Sequence, residues 1–420
     1  MKLKRFSERG LKMNKKAYRV LWVATSTNFI AGLIYIWSVI SKSLINDLNW
    51  TSKQASLPYT VITVSFVIAM VIFGKVQDLK GPKLTVTLGG ILMGVGLILS
   101  GIFTEPNIMI LTMGIIAGAG IGTINASTAP PVVKWFPHEK KGMVTGIVVA
   151  GIGLSSAFYS PLANYLIKTV GLSKTFIYIG VGALILSVLL AQFLENPPEG
   201  VIHKNINSKD KKEIKSSKDC TWQEMIRTAD FYKLWLMLAF SSSAGLMIIG
   251  HISNIAKIQV NWQGGFILVI LLAIFNTLGR VLGGTLSDKM DRINLMKLIF
   301  IFQGINMFVF PRYSNVGLLS IGVAIAGLCY GAGFAIFPAA ATDRYGVKNF
   351  GINYGLIYTG WGIGGIIGPM TAAAIFDSTG NYNSAYIVAA VLMLIATIIG
   401  LTFRHERSKI EDVVLNNNNN

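Results

Sequence analysis

Stretches of about 20 mostly apolar residues recur along the whole chain, each long enough to cross a bilayer as a helix. They fall at 17–40, 57–76, 84–104, 108–129, 142–166, 174–194, 232–256, 264–286, 295–311, 315–341, 350–374 and 384–403. In lipid every backbone polar group must be satisfied internally, so runs of this kind leave little choice but helices. The expected fold is an all-α membrane protein of twelve transmembrane helices in two pseudo-symmetric six-helix halves. Only 13% of the 420 residues are charged, about half the share of a soluble domain. The 44 glycines suit helices that pack closely in a membrane.

The net charge of +18 could suggest nucleic acid. The cations sit between the apolar runs, where lipid headgroups and the orientation signal account for them, so no nucleic-acid partner is expected. Cys220 and Cys329 give neither a disulfide framework nor a metal-ligand spacing. No cofactor and no metal is expected. The first run lacks a small-residue cleavage site and is long enough to span, which marks a retained helix and not a removed signal peptide.

Boundaries follow from the polar segments. Residues 1–16 form a basic tail, 17–194 the first half, 195–231 a lysine-rich linker, 232–403 the second half and 404–420 a second tail ending in five asparagines. Lysine and arginine collect in the even-numbered loops, as Lys75, Lys80 and Lys83, then Lys134, Lys140 and Lys141, then Lys289 and Arg292. Basic loops stay in the cytoplasm. The expectation is a multi-pass protein of the cell (inner) membrane, monomeric, with both termini cytoplasmic.

The halves repeat. Gly74-x-x-x-Asp78 follows the second run and Gly284-x-x-x-Asp288 the eighth, at an offset of 284 − 74 = 210. Gly142, Gly146, Gly151 and Gly153 recur as Gly351, Gly355, Gly360 and Gly362, 209 residues on. Two similar halves around a midplane site is a transporter plan.

The Asp78 and Asp288 loops resemble the signature of the major facilitator superfamily. Such an aspartate can cap a helix N-terminus or pair with a cation such as Arg292, locking one side of the membrane until gating releases it. Two departures stand out: Leu79 where a basic residue usually follows, and Asp291 where the later glycine usually stands. Within that superfamily the chain resembles the oxalate/formate antiporter family and the monocarboxylate transporters. The likeness rests on Tyr35-x-Trp37-Ser38, Pro130-Pro131-x-x-Lys134-Trp135-Phe136-Pro137, Asn276-x-x-x-Arg280 and Tyr354-Gly355-x-x-Tyr358 through Gly368-Pro369.

Arg280 stands inside the eighth run with apolar residues on both sides. A cation at that depth costs roughly 3 kcal/mol on insertion scales. An anionic substrate would offset the cost, and the guanidinium fork suits a carboxylate. The resemblance implies the same role for an arginine on the eighth helix; the bland alternative is an arginine that snorkels to the interface. Asn276, one turn earlier, can hydrogen-bond a substrate but cannot titrate, whereas monocarboxylate transporters often carry an aspartate there. A proton would then need another group, and His251 is the titratable candidate. Tyr35, Tyr330, Tyr354 and Tyr358 could supply hydroxyls. Oxalate exchange in the family implies a second intramembrane cation, a lysine, on the eleventh helix; here that stretch reads Tyr358-Thr359-Gly360-Trp361-Gly362.

The expected function is secondary transport of a small organic monocarboxylate of the lactate, pyruvate or formate class, by proton symport or anion exchange. An oxalate/formate-type dicarboxylate exchanger, an exporter of apolar compounds and a membrane sensor of organic anions are the alternatives. The glycines of Gly118-Ala119-Gly120-Ile121-Gly122 lie in an apolar run without a strand or a phosphate-loop lysine, so they read as packing positions. No catalytic triad is present, and no enzyme is expected.

Overall fold

The computed structural model describes residues 2–33, 37–198 and 219–403. Its first half holds α1 (Lys2–Ala31), α2 (Trp37–Leu48), α3 (Ser52–Lys80), α4 (Pro82–Ile102), α5 (Pro106–Met109), α6 (Gly118–Trp135), α7 (Lys141–Val170) and α8 (Leu172–Ala191). A π-helical stretch, Ile110–Ala117, joins α5 to α6. The short α9 (Trp222–Met225) precedes the second half: α10 (Ala229–Val260), α11 (Gly265–Ser287), α12 (Arg292–Val309), α13 (Val316–Tyr345), α14 (Phe350–Thr379) and α15 (Asn383–Leu401).

Among the described residues, eleven helices are long and apolar enough to cross a membrane. The expected first run, 17–40, falls on α1 and the start of α2, on either side of residues 34–36. The basic tail expected over 1–16 is already helical from Lys2, as lysine, arginine, leucine and methionine are good helix formers without being part of an apolar run. Most other helices also overrun their apolar cores by a turn or more. α3, for example, is N-capped by Thr51, whose hydroxyl accepts from Gln54 N in a capping box, a polar start that an apolar run does not reveal.

Exposed apolar side chains recur three and four apart, as Tyr178, Val181, Ile185 and Leu189 on α8 and Leu298, Ile301, Ile305 and Phe308 on α12. These faces suit lipid. Inside, α3 runs against α14 and α7 against α11. Those two seams join the halves.

Candidate functional site

Arg280 is completely buried in α11. Its Nε donates to Asn276 Oδ1 at 3.1 Å, the i, i+4 neighbour on the same helix face. Its Nη1 donates across the α7 seam to the Val149 carbonyl. Its Nη2 is buried with no hydrogen-bond partner. The Phe334 ring of α13 lies 4.7 Å from the guanidinium carbon. Among the described residues no carboxylate pairs with this cation. A buried charge left this way is costly, by several kcal/mol.

The seam that holds Arg280 depends on close backbone approach. A methyl on Gly146 of α7 would collide with the Arg280 carbonyl, so that position keeps the helices near enough for the guanidinium to reach Val149. The preceding carbonyl, Val148, accepts from Asn28 Nδ2 at 3.1 Å, and Asn28 Oδ1 accepts from Thr128 at 2.9 Å. Consecutive carbonyls of α7 thus receive one donor from each half.

A cavity of about 20 Å³ opens beside the guanidinium, room for about one water. Phe66, Asn125, Arg280, Phe334, Tyr358 and Trp361 line it, drawn from both halves. Tyr358 packs against Trp361, Phe66 and Phe334 with ring centroids 5.2, 5.8 and 6.0 Å apart. Tyr330 is one layer back; its hydroxyl accepts from Trp361 Nε1 at 3.0 Å. Tyr354 stands against Tyr358 at 5.6 Å.

The structure therefore brings Arg280, Asn276 and Tyr358 together, with Tyr330 behind them. Tyr35 lies outside the described residues, as do most of the linker and the second tail. His251 does not join this group. Its Nε2 donates to the Pro369 carbonyl at 3.1 Å, and its Nδ1 accepts from the Tyr382 hydroxyl at 3.3 Å. Asn254 in turn donates to Tyr382 at 2.7 Å. Both ring nitrogens are thus engaged within the second half, where α10 meets α14 and the start of α15. The sequence reading missed Phe334, Trp361, Phe66, Asn125 and the Val149 carbonyl. Asn28 and Asn125 carried a signal, as amides inside apolar runs; the aromatic residues carried none.

The aspartates form a second constellation at one end of the bundle. Asp78 accepts from Gly351 N and Ile352 N, both at 3.0 Å. Asp288 accepts from Gly142 N and Met143 N, both at 2.7 Å. Each carboxylate caps the first turn of a helix in the opposite half, where unpaired N–H groups and the helix dipole favour negative charge. One turn before each aspartate, Gly74 meets Gly351 and Gly284 meets Gly142 so closely that a methyl would strike backbone. The second copy adds ion pairs. Arg292 contacts Asp288 at 3.5 Å and bonds Asp343, which His138 reaches at 3.0 Å from the first half.

Residues 21–311 and 304–414 match the family model described as Major Facilitator Superfamily. The chain belongs to that superfamily. It is 28% identical over 349 residues to the MFS-type transporter YhjX of Escherichia coli, covering 81% of this chain and 83% of that one. The oxalate:formate antiporter of Oxalobacter formigenes is 26% identical over 391 residues, 92% of this chain and 91% of its own. Human monocarboxylate transporter 2 is 24% identical over 339 residues, 76% and 70% of the two chains. The proton:xylose symporter XylE shares the fold at a TM-score of 0.73 with 14% identity, over 93% of this chain and 96% of that one. The E. coli fucose:proton symporter FucP does so at 0.67 and 14%, over 91% and 97%. This superfamily member is a multi-pass membrane transporter.

Proposed function

We propose that this transporter moves a small organic monocarboxylate, of the lactate, pyruvate or formate class, by alternating access. The observation that carries the reading is the buried Arg280 guanidinium, facing a cavity between the halves with one nitrogen unbonded. A carboxylate is the complementary guest: two oxygens for the fork and one negative charge for the cation. Once bound, it neutralises the arginine and lowers the barrier to rocking the halves around it. The oxalate:formate antiporter and monocarboxylate transporter 2 among the relatives support this class.

The cavity lining holds no second cation among the described residues. A dianion would keep an unpaired charge there, so a monoanion fits better. Coupling is to a proton or to a second anion moving in exchange. His251 is not proposed as part of the binding set. Asp78 and Asp288, with Gly74, Gly284 and Arg292, serve as the locks that close one side, which the cation-rich loops mark as cytoplasmic. The test is flux into proteoliposomes. Wild-type protein is expected to take up lactate, pyruvate or formate saturably, and Arg280→Ala to insert normally and take up none. Undiminished uptake by Arg280→Ala would overturn the reading. The likeness to the antiporter favours one competitor, oxalate–formate exchange. It predicts that oxalate inside the vesicles speeds formate entry and saturates below any monocarboxylate.

A further inference from the structure

The two seams between the halves are not equal. At the first, Gln77 stands beside Asp78 near the end of α3 and is 0% exposed. Among the described residues neither its amide oxygen nor its amide nitrogen has a hydrogen-bond partner. The opening turn of α14, in the other half, lies over it: a methyl on Gly351 would come within 3.0 Å of Gln77 Oε1. Two residues further along that turn, Asn353 is buried as well. Its Nδ2 donates to the Cys220 carbonyl at 3.0 Å, but its Oδ1 has no partner among the described residues. Both halves thus bring unbonded amide atoms to the first seam.

The internal repeat supplies the comparison. The offset of 210 that carries Gly74 to Gly284 carries Gln77 to Ser287, and the offset of 209 that carries Gly142 to Gly351 carries Val144 to Asn353. Ser287 is buried too, yet its hydroxyl donates to the Gly284 carbonyl and accepts from Arg292 Nη1, both at 2.8 Å. Val144 is buried and apolar. At the matched positions the second seam is therefore satisfied. A buried amide without a bond has given up its water for nothing, so it favours any state that readmits water. Parting α14 from α3 uncovers Gln77 and is such a state.

We infer that Gln77 and Asn353 form a release device in the first lock, one that the second lock lacks. Closure dehydrates the two amides and opening rehydrates them. This rests on the reading of the aspartate seams as locks. Asp78 holds the first seam shut through Gly351 N and Ile352 N, and the amide one residue earlier offsets part of that hold. The α3–α14 seam is then the looser of the two, and it keeps the closed state shallow enough to open in each transport cycle.

The test removes the amide and follows opening at the lock end. In a Cys220→Ser, Cys329→Ser background, Ile152→Cys sits in the wall of the Arg280 cavity and is labelled with impermeant maleimide from the lock side. Gln77→Met keeps the length without the polar atoms. Gln77→Ser copies the second seam, where the hydroxyl bonds the carbonyl three residues back. Each is expected to slow labelling about tenfold, the weight of roughly one unsatisfied buried group. Ser287→Ala is expected to speed it, because Arg292 loses a partner. Unchanged or faster labelling with both Gln77 variants overturns the inference; an amide bonded to an ordered water in the closed lock would give that result. Wild-type protein supplies a reading that needs no variant. Hydrogen exchange at Gly351–Asn353 is expected to be several-fold faster than at Gly142–Val144, and equal or slower exchange there overturns the inference as well. Failure of the locks themselves looks different: Asp78→Ala with Asp288→Ala would then leave labelling unchanged, whatever Gln77→Met does.

Discussion

At Arg280 the local geometry has engaged Nε and Nη1 and left Nη2 without a partner. Charge alone would not use that arrangement fully. Arg280→Lys keeps the cation but loses the planar fork. Half-saturation for the transported acid is expected to rise about 10- to 100-fold, the loss of one charge-assisted bond at ~1.4 kcal/mol per tenfold, measured as uptake against concentration. Asn276→Asp adds an acid one turn from the guanidinium. Ionised, it pairs with Arg280 and competes with substrate; protonated, it releases the arginine. Uptake by that variant is expected to rise as pH falls through the carboxyl's titration, and a pH profile parallel to wild type would contradict it. Arg280 was legible because a guanidinium inside an apolar run has few bland explanations. Its partners were not. Val149 offers a backbone carbonyl from a helix 131 residues away, and Phe334 and Trp361 sit on helices apolar on every face, where periodicity names no inner side.

The seams between α3 and α14 and between α7 and α11 are built by the same device twice. A glycine removes the side chain so that backbones touch, and an aspartate one turn later caps the opposite helix. Each cap contributes about 1 kcal/mol, so removing both favours opening at that end. In a background of Cys220→Ser and Cys329→Ser, Ile152→Cys places a thiol in the cavity wall. With Asp78→Ala and Asp288→Ala added, labelling by an impermeant maleimide applied from the lock side is expected to rise several-fold; an unchanged rate would remove the locks from gating. The repeated spacing made this pairing half legible: it marked both aspartates but not that each reaches across to the other copy. The departure at Asp291 has a local cause. That residue N-caps α12 by accepting from Asn294 N at 2.8 Å, whereas Gly81 turns the first copy at φ 84°, a conformation that favours glycine.

For the whole molecule, the sum of these contacts is a pair of bundles held together at the cation-rich end around a cavity of about 20 Å³. Orientation is a separate prediction. Lys140→Cys, at the lock end, is expected to react with impermeant maleimide only in inside-out vesicles, and Glu105→Cys only in right-side-out ones; the reverse pattern would invert the assignment. The superfamily fold was legible because lipid forces helices on long apolar runs. The helix ends were not, since capping and polar turns lie outside those runs. The most direct test of the central claim is calorimetric titration of purified protein with lactate, pyruvate and formate, beside an Arg280→Gln variant of matched thermal stability. Wild type is expected to bind at least one acid saturably and the variant none. Equal binding to both proteins would contradict it.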